Sequence, residues 1–395
     1  MIPLSVPEMR GNELAYLREC IETNWVSYVG PFVTRFEEQM AKFVGTRYAV
    51  AMNSGTAALH IALLVAGVKP DDEVLVSDLT FIAPVNAIRY AGAFPVFMDA
   101  TPDHWQMDPD KVVEFLEEEC HASGGRLRNR RTGRPLAAIL PVHILGHPVD
   151  MQPILDAARH YDLRVIEDAT ETLGSKYQGK MVGTLGDIAC FSFNGNKIIT
   201  TGGGGMIVTD NEAWASKARY LTTQAKDDPI EYVHHEIGYN YRLTNIQAAV
   251  GVAQMEKLDE YVQIKREIAA RYAKGLAGVA GLALPSEASW AFSSFWLYTV
   301  RVERALYGID SRALQRALAE RNIQTRPLWA PIHTQLPYRE CQAYRIETAD
   351  RLYSDALSLP CSVGLREADQ QRIIGSVCEL ARVPRQRPGR TDSNA

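Results

Sequence analysis

The chain has 395 residues, 46% of them hydrophobic and 23% charged, with a formal net charge of −5. That length exceeds one small domain and suffices for a large domain with a smaller partner, while the composition is that of an ordinary globular protein and excludes a disordered or membrane class. The mild charge, and a basic cluster at 126–134 that is short and lacks interleaved aromatics, argue against a nucleic-acid surface and leave the cluster as a solvated loop.

Six cysteines (Cys20, Cys120, Cys190, Cys341, Cys361 and Cys378) are scattered without close pairs. This argues against a disulfide framework or a zinc site, so no metal is expected and a reducing cytoplasm fits best. No basic stretch leads into an apolar run at the N-terminus and no segment approaches the length of a membrane span, so a cytoplasmic protein that is neither exported nor membrane-inserted is expected.

Between 50 and 210, short β-branched runs alternate with helical patterns, which predicts a mostly parallel sheet with crossover helices. The strands are expected at 73–77 (EVLVS), 137–144 (AAILPVHI), 164–168 (RVIED), 188–193 (IACFSF) and 205–209 (GMIVT). Ser77, His143, Asp168 and Ser192 fall at strand C-terminal ends, where ligands gather in such sheets. One long helix is predicted over 244–276, connecting to an α+β second domain that starts near Glu256 and holds a strand at 295–302 and helices at 311–321 and from 366. The expected division is therefore 1–255, 256–382 and a polar, disordered tail at 383–395.

Several segments can carry chemistry. NSGTAALHIALLVAG (53–67) reads as a small-residue turn opening a helix. Free N–H groups at Gly55 and Thr56, with the Ser54 and Thr56 hydroxyls, make that helix start suited to a phosphate monoester; a plain Ser or Thr N-cap is the other account. Phe81 begins the following helix, where its ring would stack on a flat heteroaromatic group or simply join the core. Ser192 alternates with Phe191 and Phe193, so its hydroxyl faces away from both rings; a phosphate contact and an ordinary buried hydrogen bond are equally compatible with that. Asp168 ends an apolar strand, where a carboxylate is poorly solvated unless it meets a cation. A protonated pyridine nitrogen is such a cation, and a helix cap is the competing role. Lys197 follows a strand end and precedes a glycine run; alone, it would be an ordinary loop lysine. The run Gly202 to Gly205 lacks phosphate-loop spacing and reads as flexible backbone or close approach.

NSGTAAL, TFIAPVNAI, VIEDATETLGS, FSFNGNKIITTGGGGMI and GYNYRLTNIQAA together resemble, in order and spacing, the DegT/DnrJ/EryC1/StrS sugar aminotransferases. The resemblance spans roughly 6–374. It implies the α/β architecture of pyridoxal-phosphate (PLP) fold type I, the aspartate aminotransferase-like fold, with a large, mostly parallel domain, a smaller α+β C-terminal domain and active sites shared across a homodimer. At the matching positions it implies Lys197 as the Schiff-base lysine, Asp168 as partner of the ring nitrogen and Glu171 as neighbour of the ring hydroxyl. Gly55, Thr56 and Ser192 would hold the phosphate, Phe81 would stack on the ring, and Asn240 would reach the phosphate from the other subunit. His143 would lie at the edge of the same pocket. Family members that remove a sugar hydroxyl carry histidine at the lysine position, and Lys197 argues against that chemistry here.

WVSYVGPFVTRFEE, DHWQMDP, LPVHILGHPVDM, YLTTQAKDDP and IQTRPLWAPIHTQ resemble most the LegC-like C4 aminotransferases of legionaminic acid biosynthesis, and less closely GDP-perosamine synthases. The implied reaction takes the amino group of L-glutamate, releases 2-oxoglutarate, and places nitrogen on C4 of a nucleotide-linked 4-keto-6-deoxyhexose. The implied sugar is UDP- or GDP-2-acetamido-4-keto-2,6-dideoxyglucose, with a GDP-perosamine-type sugar as the alternative. Arg242, Arg326 and His333 are candidates to bind substrate through charged hydrogen bonds; a salt-bridged interface arginine, a surface arginine and a loop histidine are their plainer readings. A PLP-binding regulator without turnover is a further reading, which no DNA-binding appendage supports.

Overall fold

The computed structural model describes residues 1–228 and 230–381, and the tail expected to be disordered lies outside them. An eight-stranded sheet forms the centre. In space its strands run Tyr48–Met52, Gly205–Thr209, Ile188–Ser192, Arg164–Asp168, Leu136–Leu140, Glu73–Ser77, Phe94–Met98 and Gln342–Tyr344. Every pairing is parallel except the two made by Gly205–Thr209.

Parallel strands covered on both faces read as continuous apolar runs, and EVLVS is buried along its whole length. Alternation then divides their side chains. Leu75, Ile139 and Val165 join one core with residues of the helices Pro109–Glu118 and Met151–Tyr161. Val76, Leu140 and Ile166 join the other, with the helices Pro31–Val44, Gly55–Val65 and Asn245–Met255. Gly55–Val65 is apolar around most of its circumference because it is buried from Ala57 to Leu63.

A second sheet, wholly antiparallel, orders Leu282–Ala283, Tyr298–Val302, Ala356–Leu359 and Arg326–Pro327. The helices Ser311–Glu320 and Glu367–Leu380 pack beside it. Two segments cross the division drawn near Glu256. Ile2 pairs with Ile323, and Gln342–Tyr344 returns to the large sheet beside Phe94–Met98.

Three local expectations differ from the structure. The strand expected at 137–144 ends at Leu140, since Pro141 has no N–H to continue the ladder. The single helix expected over 244–276 is two, Asn245–Met255 and Leu258–Leu276. At the break Glu256 receives Tyr16 Oη (2.7 Å), Arg35 Nη2 (2.9 Å) and Asn12 Nδ2 (2.7 Å), long-range partners that local periodicity does not encode. The first part of the basic cluster at 126–134 is not a solvated loop: Arg126–Asn129 forms a hairpin with Cys120–Ser123, while 130–133 are exposed. There Arg126 pairs with Asp72 at 2.8 Å and Asn129 is buried against Glu73 at 2.7 Å. All six cysteines are unpaired. Among the described residues no helix is long and apolar enough to cross a membrane, and no group of three His, Cys, Asp or Glu side chains is arranged to hold a metal.

Candidate active site

Because seven strands of the large sheet share one direction, their C-terminal ends lie along one edge, and a cavity of about 320 Å³ opens there. Its first wall is the start of the helix Gly55–Val65. Ser54 caps that helix, its Oγ accepting from Ala57 N at 3.1 Å, so the cap and the cavity-lining role coexist in one residue. The first N–H groups, at Gly55 and Thr56, have no acceptor within the helix and carry its positive end. A Cβ on Gly55 would stand 2.9 Å from Ser192 Cβ and 3.2 Å from its Oγ. The Ser192 hydroxyl is thus brought against the helix start only because residue 55 is glycine. Gly205 supports the same turn from below, where a Cβ would fall 2.2 Å from the Ser54 carbonyl oxygen. The glycine run is therefore a close approach and not a phosphate loop.

The floor is ionic. Asp168 is 2% exposed; burial raises its carboxyl above the ordinary range, against the opposing pull of its hydrogen bonds to Thr170 and the charge of Lys197. Thr170 N donates to its Oδ1 at 3.1 Å. Glu171, three residues on, accepts from Leu145 N at 2.9 Å and faces Lys197 Nζ at 3.6 Å. Burial pushes the Glu171 carboxyl up to about 7, with Lys197 pulling the other way. Lys197 Nζ also lies 4.1 Å from the centre of the Trp296 ring, within cation–π range. Trp296 Nε1 donates to the carbonyl of Asn196 at 2.7 Å, so one indole holds the loop at Asn196 and the amine at Lys197. The Trp296 carbonyl accepts in turn from the buried Lys265 Nζ at 2.7 Å.

The residues fit PLP. Two buried carboxylates, Asp168 and Glu171, stand against the single amine Lys197, and a protonated pyridine ring would supply the second cation. A helix start with a serine hydroxyl beside it suits the phosphate. Phe81, 55% exposed, offers an aromatic face at the cavity wall.

A model of the DegT/DnrJ/EryC1/StrS aminotransferase family matches residues 7–378. The chain belongs to that family. EpsN of Bacillus subtilis (strain 168), which carries the name of a pyridoxal phosphate-dependent aminotransferase, is 41% identical over 96% of this chain and 95% of its own. A GDP-perosamine synthase of Caulobacter vibrioides is 39% identical over 96% of this chain and 98% of its own. Among solved structures, S. venezuelae DesV is 31% identical with a TM-score of 0.85, covering 95% of each chain. The protein is a PLP-dependent sugar aminotransferase of fold type I.

Within this aminotransferase, Ser54, Gly55, Thr56, Phe81, Asp168, Glu171, Ser192 and Lys197 all line the one cavity. His143, expected at the pocket edge, and the three residues offered as substrate ligands do not line it. His143 is fully buried behind Asp168, its N–H donating to the Asp168 carbonyl at 3.0 Å. Val149 N donates to its Nδ1 at 2.9 Å, which leaves the Nε2 proton directed at Glu167 Oε2, 3.2 Å away. Arg242 turns instead to Glu37 Oε1 (2.9 Å) and the Ala51 carbonyl (3.0 Å), tying down the strand Tyr48–Met52. Arg326 is exposed on the edge strand Arg326–Pro327, its backbone committed to the second sheet. His333 Nδ1 pairs with Asp78 Oδ2 at 2.7 Å. Asn240 is exposed and does not line this cavity.

Sequence reasoning missed Trp296 and Trp329, which reach the cavity from the second half of the chain, and Thr80, Thr170 and Asn194, which border it. Thr80 and Thr170 lie inside the motifs already singled out and were legible as neighbours of Phe81 and Asp168. The tryptophans carry no local signal, because their place depends on how the two sheets meet.

Proposed function

We propose that this enzyme moves the amino group of L-glutamate to C4 of a GDP-linked 4-keto-6-deoxyhexose, releasing 2-oxoglutarate. The observation that carries the chemistry is Lys197 Nζ suspended between Glu171 and Trp296 in the cavity that Asp168 also lines. When bound, PLP supplies the electron-accepting ring that lets nitrogen leave one carbon skeleton and join another. Asp168 would hold the ring nitrogen in its protonated state, and the helix start with Ser54, Thr56 and Ser192 would hold the phosphate. Lys197 Nζ would take a proton from the donor carbon and return one to the acceptor carbon as general base and acid. Glu171, with its carboxyl near 7, is poised to hold or release a proton 3.6 Å from that amine. Asn240 would complete the phosphate site from a second copy of the chain, which makes the working unit a homodimer.

The sugar half of the proposal is supported by the GDP-perosamine synthases of Caulobacter vibrioides and Escherichia coli O157:H7, each 39% identical to this chain. They favour a GDP-linked, perosamine-type sugar over the UDP- or GDP-linked N-acetylated, legionaminic-type sugar that the motif resemblance suggests. The test is to supply PLP and L-glutamate with GDP-perosamine's 4-keto precursor or with UDP- or GDP-2-acetamido-4-keto-2,6-dideoxyglucose, and to follow 2-oxoglutarate and product mass. Amination of the first sugar is the expected result. Turnover of an N-acetylated sugar alone would move the enzyme to the legionaminic-type reaction, and turnover of none would confine the assignment to the family.

A further inference from the structure

The segment Arg326 to His333 is a strap between the two sheets. At one end Arg326 and Pro327 pair with Ser358 and Leu357 of the second sheet. At the other, Asp78 takes hold from the C-terminal end of the strand Glu73–Ser77. Its carbonyl accepts from Ile332 N at 3.2 Å, its Oδ1 from His333 N at 2.9 Å, and its Oδ2 meets His333 Nδ1 at 2.7 Å. Asp78 is fully buried, and its carboxylate is dedicated to the one histidine on both oxygens. Between the two anchors lies Trp329, which lines the cavity. The same Asp78 immediately precedes Leu79, Thr80 and Phe81, so one carboxylate locates two walls contributed by distant parts of the chain.

The cavity's aromatic side chains have distinct engagements. Trp296 is 3% exposed and occupied with Lys197 and Asn196. Phe81 lines the cavity wall, where the family resemblance implies that it faces the cofactor ring. Trp329 is half-buried and flanked by Leu328, Ala330 and Pro331, with no charge among them. An indole in an uncharged stretch suits the C–H face and C6 methyl of a deoxyhexose, whereas to a diphosphate it offers a single N–H and no charge.

We propose that Trp329 is a specificity-determining wall for the sugar half of the substrate, and that Asp78 and His333 are the positioning pair that sets it. This rests on the sugar-aminotransferase reading above. His333 acts without touching substrate: it closes the strap, and the strap presents the indole. Proline at 327 and 331 stiffens the strap, so its geometry depends on its two anchors.

The test uses the PLP-loaded enzyme and two separate readings: conversion of the bound cofactor by L-glutamate alone, followed by absorbance, and binding of GDP-perosamine, followed by quenching of tryptophan emission. Trp329→Leu is expected to weaken GDP-perosamine binding by about five- to tenfold, with Trp329→Phe close to wild type. His333→Ala is expected to show a similar loss while its glutamate reading stays within about twofold, and His333→Gln, whose amide can still donate to Asp78, should recover part of it. The double variant His333→Ala/Trp329→Leu should be no worse than Trp329→Leu, because the two residues act through one another. Losses that multiply, or a Trp329→Leu protein that binds as tightly as wild type, would overturn the inference and leave the sugar assignment standing. A wild type that responds to glutamate but binds no GDP-perosamine would instead overturn the GDP-sugar reading and this inference with it.

Discussion

Glu171 Oε1 and Lys197 Nζ face each other at 3.6 Å on the floor of the cavity, yet burial still outweighs the lysine's charge and holds the Glu171 carboxyl at about 7. Folding thus raises this group from its ordinary 4.5 to about 7. Between those values the folded protein keeps a proton that the unfolded chain has released. Stability from the neutral carboxyl is therefore full below the unfolded value and is lost as pH rises through the folded one. The full effect is on the order of 3 kcal/mol. In cofactor-free protein, Glu171→Gln should gain stability relative to wild type on going from about pH 5 to about pH 8. Urea midpoints at the two pH values check this, and parallel shifts in both proteins would refute it.

Lys197→Ala removes both the covalent anchor and the acid–base group. Its transamination rate should fall by about 10²–10⁴-fold, with no cofactor retained after borohydride reduction and denaturation. Mass spectrometry of the reduced protein reads the second outcome directly, and a covalent adduct on another lysine would redirect the assignment.

Asp168→Asn keeps the shape of the side chain but removes its charge. The cofactor should still bind, since the helix start and Ser192 are untouched, while the glutamate-driven absorbance change slows by about 10²-fold. An unchanged rate in stopped-flow absorbance would make Asp168 a purely structural residue.

Arg242 and Glu37 are each 11% exposed at their side chains and 2.9 Å apart. Arg242→Ala leaves Glu37 with Arg219, at 3.2 Å, and the Ala51 N–H, at 2.7 Å, and should cost about 2–3 kcal/mol of stability. The KM values for glutamate and sugar should stay within about twofold of wild type. A rise in either KM without a stability loss would restore Arg242 as a substrate ligand.

Gly205→Ala drives a methyl group into the Ser54 carbonyl, 2.2 Å from its Cβ position. The strand and the capped turn must part, at about 1–3 kcal/mol. Because that turn carries Gly55 and Thr56, the apparent Kd for PLP should rise together with the loss of stability. Equilibrium dialysis against PLP separates this from a stability loss alone.

Much of the cofactor side of the site was legible before the fold was known, and the reason is physical. Asp168, Ser192, Ser54, Gly55 and Thr56 stand at strand ends or a helix start, and Glu171 and Lys197 lie in the turns that follow two of those strands, so strand pattern and helix pattern together bracket them. Asp168 follows an apolar strand, Ser54 precedes a helical stripe, and Lys197 lies just beyond Ser192. Parallel pairing then collects strand ends on one edge without further information. The glycine run was legible as close approach, although its partner, the Ser54 carbonyl, was not.

The substrate side was not legible, because charge alone does not say which way a side chain turns. Arg242 and His333 are each as suited to bind a carboxylate of the protein as one of a substrate, and the fold gives them Glu37 and Asp78. His143 lies just beyond the strand end at Leu140, but Val149 and Glu167 occupy both of its ring nitrogens.

The sequence by itself determined the sheet of parallel strands and the helix start beside it, since those depend on local period and residue type, while the order and spacing of linked motifs pointed to the lysine and aspartate at its edge. Tertiary structure decided which charges pair among themselves, where the long helix breaks and which tryptophans wall the cavity. Those outcomes rest on contacts between residues far apart in the chain, such as Asp78 with His333 and Trp296 with Lys197. Such contacts exist only once two sheets have met, and nothing in the neighbouring sequence records them.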